Sequence, residues 1–586
     1  MKNKVYLMLI MVFITFSCED YLDKEPLDLI TDPVVWQDPA LISAYLADLY
    51  DRVDFIELRG NNNEQTSHAL IASMAGEGRS FGTHHQSYGA STSVLNASGL
   101  YSELNYWRYV NIRDMNYFLQ QIESSPLDKS LVEQRSAEVR FLRAYTYFQK
   151  VIRWGGVPII TEPQAIDAPA EEIFVSRNTE KEVYDFVINE LTAISEILPS
   201  ENEKGRPSKY AALALKSRAA LYAASIAKYG TVQTVSNPTG DDLVLGFPAS
   251  EAATYAQISY DASTDIIENS AHRLYEELDD PAENFQNLFL DESAANKEVI
   301  MAEVYDFSKN RAHAYTMRAT PHDFSNTWGS MNYHYDWLER FEFADGSPGT
   351  SISRAQLTSQ DWDVDEIFSN RDPRFVASVF YPESDWSGGK TYFHRNTIRE
   401  GKTLSGGSDE NGFPYASTRR NHIRTGFMVK KRTNENIYPE NLINDDTDYI
   451  IFRLGEIYLN LAEAAFYLGR DGEALTALNR VRQRANMPDK TSITEDIIQN
   501  ERLVELTWEN HSYWDIRRWR IAKELLDGVR LKGCQFTYIY ETNKYRIKLV
   551  NSEGIARTFQ DHNYYLPLGV GKTSENPNLV ENPGYE

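Results

Sequence analysis

Apolar positions recur at helical spacing over several long stretches of this chain. In residues 140–154, Phe141, Ala144, Tyr145 and Phe148 stand at i, i+3, i+4 and i+7, so they share one face of a helix. Gly155-Gly156 and Pro158 end that pattern. Residues 36–58 and 101–122 carry similar spacing, the second with Leu104, Trp107, Val110 and Ile112 near one face. Residues 179–198 and 208–228 flank a Gly205-Arg206-Pro207 turn. Small residues crowd 210–222, which lets two helices approach closely. Helical spacing returns at 449–468, 471–485 and 494–526. The pattern predicts a mainly α fold with tetratricopeptide-like helix pairs as its scaffold. The fixed repeat of about 34 residues that marks true tetratricopeptide arrays is not evident.

Between 231 and 448 the texture changes. Clusters such as Asp345-Gly346-Ser347-Pro348-Gly349 alternate with short apolar runs. This predicts a large loop-rich insertion with a few helices and short strands. Long loops on a rigid scaffold are where binding usually sits. After Leu526 the chain again lacks periodicity and reads as irregular.

The first residues read as a secretory signal. Lys2 and Lys4 precede an apolar run over 5–16, and Ser17-Cys18 close it. The run is shorter than the roughly 20 residues a spanning helix needs. Ser17-Cys18 resembles a bacterial lipobox, so Cys18 is expected to carry acyl chains. The ordinary alternative is a secreted protein in which Cys18 is incidental. The expected layout is a signal peptide (1–17), a lipidated acidic tether (18–36), an N-terminal helical part (37–230), a ligand-binding insertion (231–448), and a C-terminal helical part with an irregular tail (449–586).

Charge narrows the partners. The chain of 586 residues carries a net −26, from 85 acidic against 59 basic residues. That argues against a phosphate-backbone binder, which needs a basic footprint, so no nucleic acid is expected. Cys18 and Cys534 are the only cysteines. With Cys18 lipidated, neither an internal disulfide nor a cysteine metal site is expected. The 36 Tyr and 10 Trp suit a surface that stacks on sugar rings, although each one taken singly is more often a core residue.

Several motifs, in order along nearly the whole chain, resemble the SusD/RagB family of outer-membrane nutrient-binding lipoproteins. Tyr21-Leu22-Asp23 with Pro26 follows the cysteine. Arg140-Phe141-Leu142-Arg143-Ala144, Tyr147-Phe148 and Gly155-Gly156-Val157-Pro158 follow, then Ser208 to Leu215 and Arg371-Asp372-Pro373-Arg374. Arg453, Glu456, Leu459 and Ala462-Glu463-Ala464 match the next helix, followed by Asn479-Arg480-Val481-Arg482. Glu501-Arg502, Glu505, Glu509, His511, Asp515 and Arg518-Trp519 match another run, and Asn576-Pro577 with Asn582-Pro583-Gly584 closes the pattern. Ser512 departs from it, standing where the family carries Arg.

The resemblance implies a cell-surface protein on the outer membrane that captures oligosaccharide. It would hand the ligand to a SusC-like TonB-dependent transporter, with no cofactor, metal or catalytic residue. The acidic Glu19, Asp20 and Asp23 resemble the surface-export signal of such lipoproteins. By position, ligand contacts are expected from His84, His85, Tyr88, Trp328, Tyr333, Tyr335 and Trp386, with Trp328 foremost. Most of these lie near Gly, Ser or Asn, as exposed stacking residues would, whereas Trp337 and Trp362 read as core. The competing readings are an interaction scaffold, a peptide-binding relative, and a glycosidase using Glu456 and Glu463 as paired carboxylates. Against the last, Arg453, Glu456 and Glu463 lie among Ala and Leu, and inward Arg and Glu would lock helices together. Gly569-Val570-Gly571-Lys572-Thr573 lacks the first glycine of a phosphate loop. His84-His85 is too close for a helical zinc pair.

Overall fold

Short polar side chains set the helix starts. The computed structural model describes residues 32–585, apart from 54, 56–66, 80–103, 166, 237–241, 322–323, 325–330, 388, 418–422 and 441. Its longer helices are α1 (Pro39–Arg52), α2 (Ser67–Ala75), α3 (Tyr109–Ile122), α4 (Lys129–Trp154), α5 (Glu180–Ser195), α6 (Lys209–Tyr229), α7 (Ala252–Asn269), α8 (Leu454–Tyr467), α9 (Asp471–Arg484) and α10 (Glu495–Glu505). Asp38, Asp128, Thr179, Ser208 and Thr494 each accept a bond from a first-turn backbone N–H ahead of α1, α4, α5, α6 and α10. Gly155, at φ +70°, ends α4.

The small residues of α6 do what their size allows. The helix is buried almost all round, and α5 and α7 pack against it. α7 packs in turn on α8, and α8 on α9. Ser217 of α6 lies 2.7 Å from the Ser263 hydroxyl of α7 and accepts a bond from Asn460 of α8 at 3.1 Å. Three helices thus share one polar contact.

Some elements differ from the spacing. Residues 449–453 form a strand before α8, paired antiparallel with Val299–Glu303. The predicted helix over 494–526 breaks after α10, because Trp508 (φ +56°) and Asn510 (φ +65°) adopt left-handed backbone. Short helices follow at Ser512–Arg518 and Ala522–Leu526. The stretch read as irregular holds a hairpin, Lys532–Ile539 against Lys544–Asn551, in unbroken register. Its side chains alternate between faces, a period of two that a search for helical spacing passes over. The helix α7, inside 231–448, packs with the scaffold helices.

A buried ion-pair network joins the C-terminal helices. Arg453 reaches Glu298 (2.9 Å), Glu505 (2.6 Å) and Glu509 (2.7 Å). Arg374 reaches Glu501 (2.6 Å) and Glu505 (3.0 Å), and Arg484 also pairs with Glu505. Burial alone would raise the Glu505 carboxyl, but Arg484, Arg453 and Arg374 hold it well below the usual range. Glu456 is held by Arg218 (2.6 Å) and Glu463 by Arg518 (2.5 Å). Both carboxylates are therefore tied into the packing between helices. The inward Arg and Glu of the family-like motifs form this network.

Candidate functional site

The site is built up from a small sheet that roots two candidate-bearing segments. Four short strands lie in the order β1 (Gly78–Arg79), β2 (Asn332–Tyr333), β4 (Met428–Val429), β3 (Val379–Phe380). Gly78 pairs with Tyr333 and Arg79 with Asn332, antiparallel. The chain therefore leaves β1 toward 80–103 at the same edge where it enters β2 from 325–330. Gly78 has no room for a side chain: a Cβ there would collide with the Asn332 carbonyl and the Trp508 ring.

Polar groups pin this edge from below. His334 N donates to the Glu77 carbonyl at 2.9 Å, and Arg79 donates to the Ser552 carbonyl. Ser552 Oγ lies 2.7 Å from His334 Nδ1. The Glu77 carboxylate accepts from Thr507 Oγ1 (2.8 Å), Trp508 N (2.7 Å) and Ser512 Oγ. Ser512, the departure from the family-like pattern, thus supplies a neutral donor. Burial raises the Glu77 carboxyl to about 7, and the hydrogen bonds only partly oppose it. Burial, with Arg557 and Arg79 nearby, keeps His334 well below its ordinary value and therefore neutral.

A second anchor holds the approach to 325–330. Phe324 packs on Trp386 and on Tyr438, each at 6.5 Å, and Tyr438 donates its hydroxyl hydrogen to the Phe324 carbonyl at 2.8 Å. Near the other end of 80–103, Tyr106 joins Phe55, Tyr145, Trp514 and His511 around a depression of about 60 Å³. Burial, together with Arg218, Arg502, Arg453 and Lys431, holds the His511 imidazole neutral.

Three of the expected ligand contacts are corrected by this geometry. Tyr333, Tyr335 and Trp386 are interior, with Tyr333 and Trp386 fully covered. Tyr333 packs edge-on against Trp508 at 5.6 Å, and Tyr335 stacks on Phe427 at 6.1 Å. Trp386 sits between Phe380 (5.3 Å) and Tyr438 (5.8 Å). Rings enclosed in this way offer no face to a ligand; they support the roots instead. Trp337 and Trp362 are core residues, as read from the sequence. His84, His85, Tyr88, Trp328 and Cys18 lie outside the described residues. Glu77 and Phe324 are supports that no spacing or motif signals, since each acts through contacts distant in sequence.

Among the described residues no group of His, Cys, Asp and Glu is placed to hold a metal ion. Among them, too, no helix is long and apolar enough to cross a membrane. Cys534 is buried and unbridged.

Two family models match the chain. One, described as the SusD family, covers residues 297–585, and the other, described as starch-binding associating with outer membrane, covers 20–221. A SusD-like protein of Bacteroides ovatus is 24% identical over 539 residues, spanning 89% of this chain and 83% of the relative. The starch-binding protein SusD of Bacteroides thetaiotaomicron is 26% identical over 524 residues, spanning 83% and 79%. The crystal structure of a SusD-like protein from Bacteroides fragilis superposes with a TM-score of 0.72 at 25% identity, covering 96% of this chain and 100% of that one.

Proposed function

Because this chain belongs to the SusD/RagB family, we propose that it is a cell-surface glycan-capture lipoprotein without catalytic activity. It is anchored in the outer membrane through Cys18 after removal of residues 1–17, and faces outward. It hands oligosaccharide to a SusC-like TonB-dependent transporter. Its packed helix pairs serve as a tetratricopeptide-like scaffold, and the loops carry the ligand. The relative named for starch binding supports carbohydrate as the ligand class.

One observation supports this choice of site. The register Arg79↔Asn332 roots the segment with His84, His85 and Tyr88 beside the segment with Trp328. Two segments rooted side by side can present their aromatic and polar groups to one ligand. Capture then needs ring faces for CH–π packing and polar groups for hydroxyls, with no reacting atom. The carboxylates a glycosidase would require, Glu456 and Glu463, are paired with arginines instead.

The test is calorimetry of Trp328→Ala and Tyr88→Ala against a panel of oligosaccharides. Each variant is expected to bind a confirmed ligand at least tenfold more weakly, about 1.4 kcal/mol. Unchanged affinity in both would remove these residues from the site.

A further inference from the structure

A cavity of about 590 Å³ lies in a different part of the fold and shares no lining residue with the sheet that roots the candidate segments. It opens between the turn joining α5 to α6, the end of α7, the segment 288–297 and the strand Val299–Glu303. Leu288, Phe289, Ile300 and Met301 supply apolar lining. Tyr210 and His272 add two rings, set edge to face at 5.9 Å.

The mouth is braced by its own charges. Lys204 bridges Asp448 (2.6 Å) and Glu292 (3.3 Å), and Asp448 N donates to Glu292 at 2.7 Å. This ties the α5–α6 turn to the segment 288–297. Arg206 pairs with Glu203 (3.0 Å) and Glu138 (2.7 Å). Gly205, at φ +86°, lets that turn pass close to Val304. A cavity held open in this way requires little ordering of its walls when a ligand enters.

We propose that this cavity is a second binding site, which takes a short neutral oligosaccharide. The proposal rests on the reading of the protein as a glycan binder. A volume of this size is in the range of small-molecule pockets, roughly 300–1,000 Å³. The lining combines apolar surface with hydroxyl-scale polar groups, as a sugar does. The charges argue for a neutral guest. An anion would meet Glu201, Asp291, Glu292 and Asp448, and a cation would find most counter-charges already engaged by Lys204 and Arg206. His272 donates from Nδ1 to the Lys297 carbonyl at 2.9 Å, which leaves Nε2 as an acceptor for a hydroxyl. Burial holds this imidazole below its ordinary value, in the neutral form that can accept.

The experiment titrates the full chain with maltoheptaose, xylohexaose and mannohexaose, and with hexagalacturonate as an acidic probe. Y88A/W328A is the background in which the loop site is removed. There, residual binding of a neutral probe is expected, and adding A294W, which fills the exposed rim of the cavity, is expected to lower it at least tenfold. H272A, which adds no bulk, must weaken the same residual binding. No residual binding in Y88A/W328A, or residual binding untouched by a folded A294W and by H272A, would overturn the second site and leave the glycan reading standing. Hexagalacturonate bound as tightly as the neutral probes in that background would overturn the ligand class. A parent chain that binds none of the probes would overturn the glycan reading, and this site with it.

Discussion

Glu77 holds the turn that leads into the first candidate segment, and its carboxyl makes that hold depend on pH. Burial raises it from 4.5 to about 7, because the groups bonded to it, Thr507, Trp508 N and Ser512, are all neutral. The folded state therefore keeps a proton that the unfolded chain gives up near the ordinary value. Its contribution to stability is full below about 4.5, falls as pH rises, and is lost above about 7. Glu77→Gln should flatten that slope in urea unfolding and raise stability at pH 8 by up to about 3 kcal/mol. A slope equal to the parent's between pH 5 and 7 would show that Glu77 does not set it. Trp386 offers a test of its corrected role. Trp386→Ala should cost about 3–5 kcal/mol in unfolding, because the ring is enclosed by Phe380, Phe324 and Tyr438. A surface platform would instead leave the melting temperature unchanged. The sequence suggested exposure from Gly388 and Gly389 nearby, but neighbours in sequence do not reveal what closes over a ring from residues 324, 380 and 438.

At the scale of elements, α5, α6 and α9 fall close to where the apolar spacing places them, while α4 ends at Trp154 as expected but begins at Lys129, ahead of the spacing read over 140–154. Each presents a face that must be buried, and each starts or stops at a residue with a local backbone reason. The strand Tyr449–Arg453 was hidden because a short apolar run fits a strand and a helix start equally well. The partner strand Val299–Glu303 decides between them, and it lies far away in sequence. The motif residues on α8 and α10 were legible as an inward network, while their partners on other elements were not. Glu505 meets Arg374, Arg453 and Arg484 together. Glu505→Ala should cost about 3–5 kcal/mol in chemical denaturation, since it leaves buried guanidinium groups uncompensated. A loss under 1 kcal/mol would mean that the remaining carboxylates re-pair with all three arginines.

At the scale of the whole molecule, the proposed anchoring rests on the expected leader and on acylation of Cys18. Cys18→Ala should move the protein from the membrane fraction to the soluble one, as read by fractionation and immunoblot. Retention in the membrane would overturn anchoring by acylation. The sequence by itself determined the mainly helical character and the family, because apolar periodicity and short motifs are local and survive without a fold. Only the tertiary structure decided which aromatics face inward, that Ser512 bonds Glu77, and that Arg79, where the chain leaves its strand, pairs with Asn332, where it enters the next. Those facts depend on contacts across long stretches of chain, more than two hundred residues between Arg79 and Asn332. No local pattern encodes them, because burial is set by what the rest of the fold brings over a side chain.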